Sequence, residues 1–168
     1  VDAGADTGKP VRRLARRGWS VFGGATFSTE VDHVLVGTRG VVTLGMKQSE
    51  TPIVVRPTAV EEPTGGDAAV AARAGAFKVR SVLRSVGLVI EVRPVLVLFG
   101  AGAPEIERGW TTVSDGIQEV LVLEGRRFGE LLDHLDGEPL DELSVSAARA
   151  AIADFITPQP DPIDILTV

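Results

Sequence analysis

The amino-acid sequence predicts a single α/β domain, a mixed sheet flanked by helices. Three observations point there. Two Val-rich runs, Glu30–Val36 and Val41–Lys47, are joined by Gly37-Thr38-Arg39-Gly40, the pattern of a β-hairpin with a short Gly-containing turn. Asp67–Val86 then carries Ala72, Ala76, Val79, Leu83 and Val86 at steps of four and three, the period of one buried helix face. After it, Val95–Phe99 (V-L-V-L-F) is apolar without alternation, as in a strand covered on both faces. A hairpin, a crossover helix and a buried strand together imply a mixed sheet with helices packed on it.

The remaining elements follow in order. Val1–Asp6 is small and polar and reads as a loose lead-in. Pro10–Arg17 predicts a short helix: Pro is tolerated in a first turn, Val11, Leu14 and Ala15 form an apolar stripe, and Gly18 is a natural stop. Trp19–Phe22 is β-prone and ends at Gly23-Gly24, and Ile53–Arg56 reads as a further strand. Glu61–Gly66 is a loop. Arg73, Arg80 and Arg84 give the middle helix a separate basic face, and Gly87 ends it. Val89–Phe99 is a strand whose Pro94 implies an edge, a bulge or a late start. Gly100–Gly109 is a loop, Gln118–Leu123 a last strand, Arg126–Leu135 a helix, and Pro139–Ile156 another helical pattern. Thr157–Val168, with three prolines, reads as a tail or arm. Residues 1–135 are expected to form the core. Residues 136–168 are expected to add an acidic helix and Pro-rich tail, as part of the same domain or as an arm.

Composition narrows the chemistry. The 168 residues suit one domain with its own core. There is no Cys and there are only two His, which excludes disulfides, thiolate metal sites and a His-rich zinc site. The longest strongly apolar run, Pro94–Phe99, is too short to span a bilayer, so a cytoplasmic protein without a membrane partner is expected. The chain starts at Val1 without an initiator Met, which reads as a trimmed N-terminus. The net charge of −6 argues at first against a nucleic-acid partner. Its distribution weakens that argument. Residues 130–168 hold nine acids and one base, net −8, which leaves residues 1–129 at +2. Lys is scarce, three against 14 Arg. A position that keeps Lys therefore suggests a need for a compact ammonium.

The hairpin carries the candidate chemistry. Side chains alternate along a strand, so Glu30, Asp32, Val34 and Val36 share one face, and Val41, Thr43, Gly45 and Lys47 share a face of the next strand. Pairing brings Asp32 near Gly45 and Lys47. An acid facing an acid-x-Lys strand is a phosphodiesterase arrangement. Carboxylates hold Mg²⁺, which lowers the pKa of bound water, and the Lys stabilises charge on the phosphoryl oxygens. Gln48 adjoins that Lys. Glu30 is a replacement ligand candidate beside Asp32, and Glu50 a weaker one. Each also has a structural reading. Asp32 caps or pairs near a turn, Lys47 is a solvated edge charge, and Glu30 is an ordinary acid at the start of a strand. His33 points away from Asp32, His134 lies among helix acids, and Trp19 and Trp110 are expected in the core. Lys9–Arg17 holds five cations and no acid. Arg12, Arg13, Arg16 and Arg17 are either a solvated face or a salt-sensitive contact to a phosphate backbone. Gly100-Ala101-Gly102 lacks the full dinucleotide-loop pattern, and no nucleophile-elbow signature is present.

Val31–Lys47 (V-D-H-V-L-V-G-T-R-G-V-V-T-L-G-M-K) resembles the centre of the nuclease-related domain family. There an I-D-H-hydrophobic-hydrophobic-V-G-P-x-G-V run leads into a strand ending E-x-K. Arg12–Phe22, Asp67–Gly87, Val92–Gly100 and Val122–Phe128 extend the resemblance in weaker form, over roughly Gly8 to Leu135. The family is similar to restriction-endonuclease-like nucleases. The resemblance therefore implies a restriction-endonuclease-like sheet, Mg²⁺-dependent phosphodiester hydrolysis and a role in DNA processing or DNA binding. It assigns Asp32, Lys47 and Gln48 to catalysis. The family's E-x-K glutamate falls on Gly45, and its first-helix Glu falls on Lys9. These departures predict weakened or lost cleavage. The alternative is a catalytically inactive module that binds nucleic acid or protein.

Overall fold

The computed structural model describes residues 11–131, 135 and 139–157. A first helix, α1, covers residues 11–16. Strands β1 (Ser20–Gly23), β2 (His33–Gly37) and β3 (Gly40–Gln48) follow. A small ribbon of β4 (Val54–Val55) and β5 (Val60–Glu61) leads to the long helix α2 (Ala68–Ser85). Then come β6 (Val92–Phe99), β7 (Trp110–Ser114), β8 (Glu119–Glu124), a short α3 (Phe128–Leu131) and α4 (Glu142–Ile156).

The main sheet has six strands in the order β1-β2-β3-β6-β8-β7. The first three form an antiparallel meander, with His33 opposite Leu44 and Gly37 opposite Gly40. β3, β6 and β8 run parallel, and β7 closes the edge antiparallel to β8. The expected mixed α/β sheet flanked by helices is therefore present, and its arrangement is consistent with a restriction-endonuclease-like sheet.

Alternation along the strands builds two apolar layers. On one face Val34, Val36, Val41 and Val92 meet Ala76, Val79 and Leu83 of α2 and Val145, Ala148 and Ile152 of α4. That layer continues through Leu96, Leu98, Val120 and Val122 to Ala69 and Ala72. On the other face Leu35, Val42, Leu44, Val95 and Val97 pack on Val11 and Leu14 of α1, Trp19 and Phe128. Fully burying one such Leu or Val contributes about 1.5–3 kcal/mol, so the two layers supply most of the drive to fold. The small residues of α2 let it lie close. A Cβ on Gly75 would come within 2.4 Å of Val31 Cγ2.

The ends of α2 follow local chemistry. Asp67 is its N-cap: Oδ1 accepts from Ala69 N–H at 2.9 Å and from Val60 N–H at 3.0 Å. Gly87, at φ +82°, closes the far end. There Leu88 N–H reaches Leu83 O and Gly87 N–H reaches Arg84 O, the paired bonds of a Schellman stop. At α4, the Asp141 carboxylate accepts from Ser144 N–H at 2.7 Å, and that bond lowers its pKa.

Several boundaries differ from expectation. β2 starts at His33 instead of Glu30, because Ser28–Val31 forms a turn closed by Val31 N–H to Ser28 O. β6 starts at Val92, and its ladder with β8 begins only at Val95. Pro94 therefore lies inside β6, opposite Thr43 of β3 but ahead of the ladder with β8, where β6 is locally an edge. Trp110–Ser114 forms a strand for which the sequence carries no clear period. Asp115 makes the turn after it, accepting from Ile117 and Gln118 N–H at 2.8 Å each. Trp110 sits at this edge strand and is 37% exposed, contrary to the core position expected for it, whereas Trp19 is buried. The Ile53–Arg56 strand shrinks to Val54–Val55 and pairs locally with β5. The helix expected over Arg126–Leu135 is a 3-10 turn, Gly125–Arg127, followed by α3. Lys9, His134 and the tail from residue 158 onward lie outside the described residues. No described helix is long and apolar enough to cross a membrane.

Candidate functional site

The candidate site lies where β3 ends, at the carboxyl end of the parallel strands, the usual position for sites in such sheets. Lys47 is the last residue of β3 on the α2 side of the sheet, in register with Leu98 of β6. Glu30 reaches it from the Ser28–Val31 turn, where Glu30 N–H bonds Ser28 Oγ. The Lys47 ammonium donates a hydrogen bond to Glu30 Oε2 and forms an ion pair with it. A second carboxylate, Glu62 Oε1, lies 3.7 Å from the ammonium. Glu62 is held in the tight turn before α2 by Glu62 N–H to Gly66 O and Gly65 N–H to Glu62 O.

Burial pulls the Lys47 pKa down. The hydrogen bond to Glu30 and the charges of Glu62, Glu30 and Asp32 outweigh it, and the ammonium is held above its ordinary value. Lys47 is thus a firmly charged cation among carboxylates. Its side chain is only 22% exposed, so it is not the solvated edge charge of the structural reading.

Asp32 is exposed, one residue before β2. Its N–H donates to Leu44 O at 2.8 Å, and its Oδ2 accepts from Met46 N–H at 2.6 Å. The side chain thus gives a β3 amide the acceptor that a longer β2 backbone would supply, just past the end of the β2 ladder. This is the pairing near a turn that the structural reading describes. Gln48 ends β3, exposed, and by alternation it points to the face opposite Lys47. Glu50 is exposed and joins no ion pair among the described residues. His33 pairs with Leu44 on the other face. Its pKa is lowered by burial against the opposing pull of Asp32.

Gly45 explains how Glu30 comes so close. A Cβ there would lie 3.1 Å from Glu30 O and 3.1 Å from Leu96 Cδ2. A side chain at position 45 would therefore press on the Glu30 carbonyl and on Leu96, which would have to give by a few tenths of an ångström. The donor set does not fit Mg²⁺. Glu30 is bound to a cation, Asp32 to a backbone amide, and position 45 has no side chain. Among the described residues no three His, Asp or Glu side chains converge where they could hold a metal ion. A hard divalent cation needs several oxygen ligands, and here it would have to share its carboxylates with a fixed ammonium.

Sequence reasoning brought Asp32, Glu30 and Lys47 together but missed Glu62. Glu61-Glu62 stood in plain view as a loop. Only the fold shows that the loop returns over the end of β3. The four arginines of the first helix and its end, Arg12, Arg13, Arg16 and Arg17, are all exposed, while Val11 and Leu14 are buried. Arg17 Nη1 donates to Gly129 O at 3.1 Å, which ties the end of α1 to α3. No protein-family model, no curated protein and no solved structure matches the chain.

Proposed function

We propose that this chain is a nucleic-acid-binding module with a nuclease-like sheet, and that it does not cleave its ligand. The exposed arginine face of α1 carries the reading. Arg12, Arg13, Arg16 and Arg17 stand on one short, well-anchored element whose apolar side is fixed in the core. Such a face suits the regularly spaced phosphates of a backbone, where each neutralised phosphate releases counterions. Residues 1–129, net +2 by sequence, do not repel it. The resemblance of Val31–Lys47 to nuclease-related domains supports the same ligand class. A cytoplasmic setting goes with this reading.

Hydrolysis is set aside on chemical grounds. The carboxylates that would bind Mg²⁺ are engaged, and Lys47 is neutralised between Glu30 and Glu62 instead of facing a phosphate. Here the cluster has a structural part: it locks the 28–31 turn and the 62–66 turn onto the end of β3.

The test is binding of a short duplex and of a single strand across a salt series. Arg12→Gln, Arg13→Gln and Arg16→Gln together should weaken binding uniformly across sequences and flatten the salt slope by about 2–3 units. An unchanged slope in the triple variant would remove α1 from the interface.

A further inference from the structure

We propose a second binding site, for a small organic anion, in the cavity between α2 and the β7–β8 turn. It is independent of the reading above, since it uses neither α1 nor the end of β3. The cavity has a volume of about 880 Å³, within the general size range of ligand pockets. Its walls include Arg73, Phe77 and Arg80 of α2 and Asp115, Ile117 and Gln118 of the turn.

The two arginines are only partly satisfied. Arg73 Nε donates to Gln118 O at 3.1 Å, and Arg80 Nη2 to Gln118 Oε1 at 3.2 Å. Gln118 is itself pinned by Nε2 to Val92 O at 3.0 Å, so this acceptor is fixed. Arg73 Nη2 and Arg80 Nε are buried donors with no hydrogen-bond partner among the described residues. Buried polar groups are almost always paired, and an exception calls for an explanation. Asp115 Oδ2 lies 3.6 Å from Arg73 Nε, beyond hydrogen-bond distance, while its Oδ1 accepts from the Ile117 and Gln118 amides. Arg80 has no carboxylate partner among the described residues. Two guanidinium groups that line a cavity and each keep a spare donor match a phosphate or carboxylate.

Apolar surface defines the rest of the ligand. Phe77 is 64% exposed and Ile117 93%, and the Arg80 guanidinium lies 5.8 Å from the Phe77 ring centroid. Large exposed apolar side chains next to unsatisfied cations suit a planar apolar body that carries one anionic group. Glu91 and Glu119 also line the cavity, and they would disfavour a polyanion. The site is therefore assigned to a compact aromatic phosphate or carboxylate.

Calorimetric titration of the full chain with phenyl phosphate, benzoate and neutral benzyl alcohol tests this. At least one anion should bind about tenfold or more tightly than the alcohol. Binding of phenyl phosphate alone would identify a phosphate, and comparable binding of both a general aromatic anion. Arg80→Gln should weaken the anion by about tenfold, and Phe77→Ala, at an exposed side chain, by a few-fold. Leu143→Ser on α4 should leave affinity unchanged. If Arg80→Gln fails to fold, amide shifts in the wild type decide: those of residues 73–80 and 115–118 should move on titration. No binding of either anion at millimolar concentration, equal binding of the alcohol, or shifts confined elsewhere would overturn the assignment.

Discussion

Lys47→Met separates a structural ammonium from a catalytic or idle one. The substitution keeps the aliphatic stem and removes the charge that joins Glu30 and Glu62. A hydrogen bond between charged partners contributes about 1.5–3 kcal/mol in general. Here Glu30 is 41% exposed and Glu62 27%, so solvent screening reduces that figure. The contact to Glu62, at 3.7 Å, adds a smaller share and leaves a second carboxylate uncompensated. The expected loss is about 1–2 kcal/mol, or roughly 2–4 °C in Tm for each kcal/mol in a domain of this size. Urea unfolding at neutral pH measures it. The same substitution in a Glu30→Gln, Glu62→Gln background should cost about 0.5 kcal/mol or less, because the partners are gone. The folded pKa of Lys47 lies above its ordinary value. Its contribution is therefore complete below that ordinary value, about 10.4, and is lost as pH rises through the folded one. The gap between wild type and Lys47→Met should close in strong alkali. A variant as stable as wild type at neutral pH, or an equal loss in both backgrounds, would refute the ion-pair account.

Three further perturbations test the frame around this cluster. Asp32→Ala leaves Met46 N–H without its acceptor and should cost about 1–2 kcal/mol, whereas Asp32→Asn keeps an acceptor and should cost less. Hydrogen exchange at the Met46 amide should quicken in the Ala variant, and unchanged exchange would show that the bond to Asp32 is not made. Gly75→Ala pushes a methyl group to within 2.4 Å of Val31 Cγ2. Despite the better helix propensity of Ala, a net loss of about 1–3 kcal/mol is expected, and equal or greater stability in denaturant would contradict the close α2 docking. His33 is depressed by burial, so its folded state prefers the neutral ring. Stability should fall as pH drops below the ordinary His value of about 6.5 toward the folded one. His33→Gln should flatten that part of the pH–stability curve, and an unchanged curve would assign the loss to other groups.

Much of the fold was legible because its signals are local. The Gly-turned hairpin, the four-and-three spacing of α2 and the unalternating V-L-V-L-F strand each encode one element without reference to the others. The short edge strand β7 was missed although Trp110-Thr111-Thr112-Val113 is β-prone and Asp115-Gly116 marks a turn right after it. Five residues with weak alternation gave little period to read. The site was legible in part. Strand alternation and the hairpin put Asp32 beside β3, and Lys47 stood out in a Lys-poor chain. Periodicity could not show that Glu30 arrives from a turn and not from the strand itself. Nor could it show that a loop acid, Glu62, closes over Lys47. Both depend on where the chain returns in space, and neither leaves a periodic trace. The missing side chain at Gly45 was visible at once. Its consequence, the approach of the Glu30 carbonyl, needed the packed sheet.

The proposed function places a nucleic-acid-binding surface on α1, beside a sheet whose β3 end is closed by the ion pairs of Lys47 with Glu30 and Glu62. The most direct measurement incubates the full chain with plasmid and with single-stranded DNA and RNA, in Mg²⁺, Mn²⁺ or EDTA, and follows retention and integrity of the nucleic acid in one assay. Salt-sensitive retention that depends on Arg12, Arg13 and Arg16 is expected, with the nucleic acid intact under every ion. Cleavage that EDTA stops and Asp32→Ala abolishes would contradict the proposed function, as would the absence of retention at low salt.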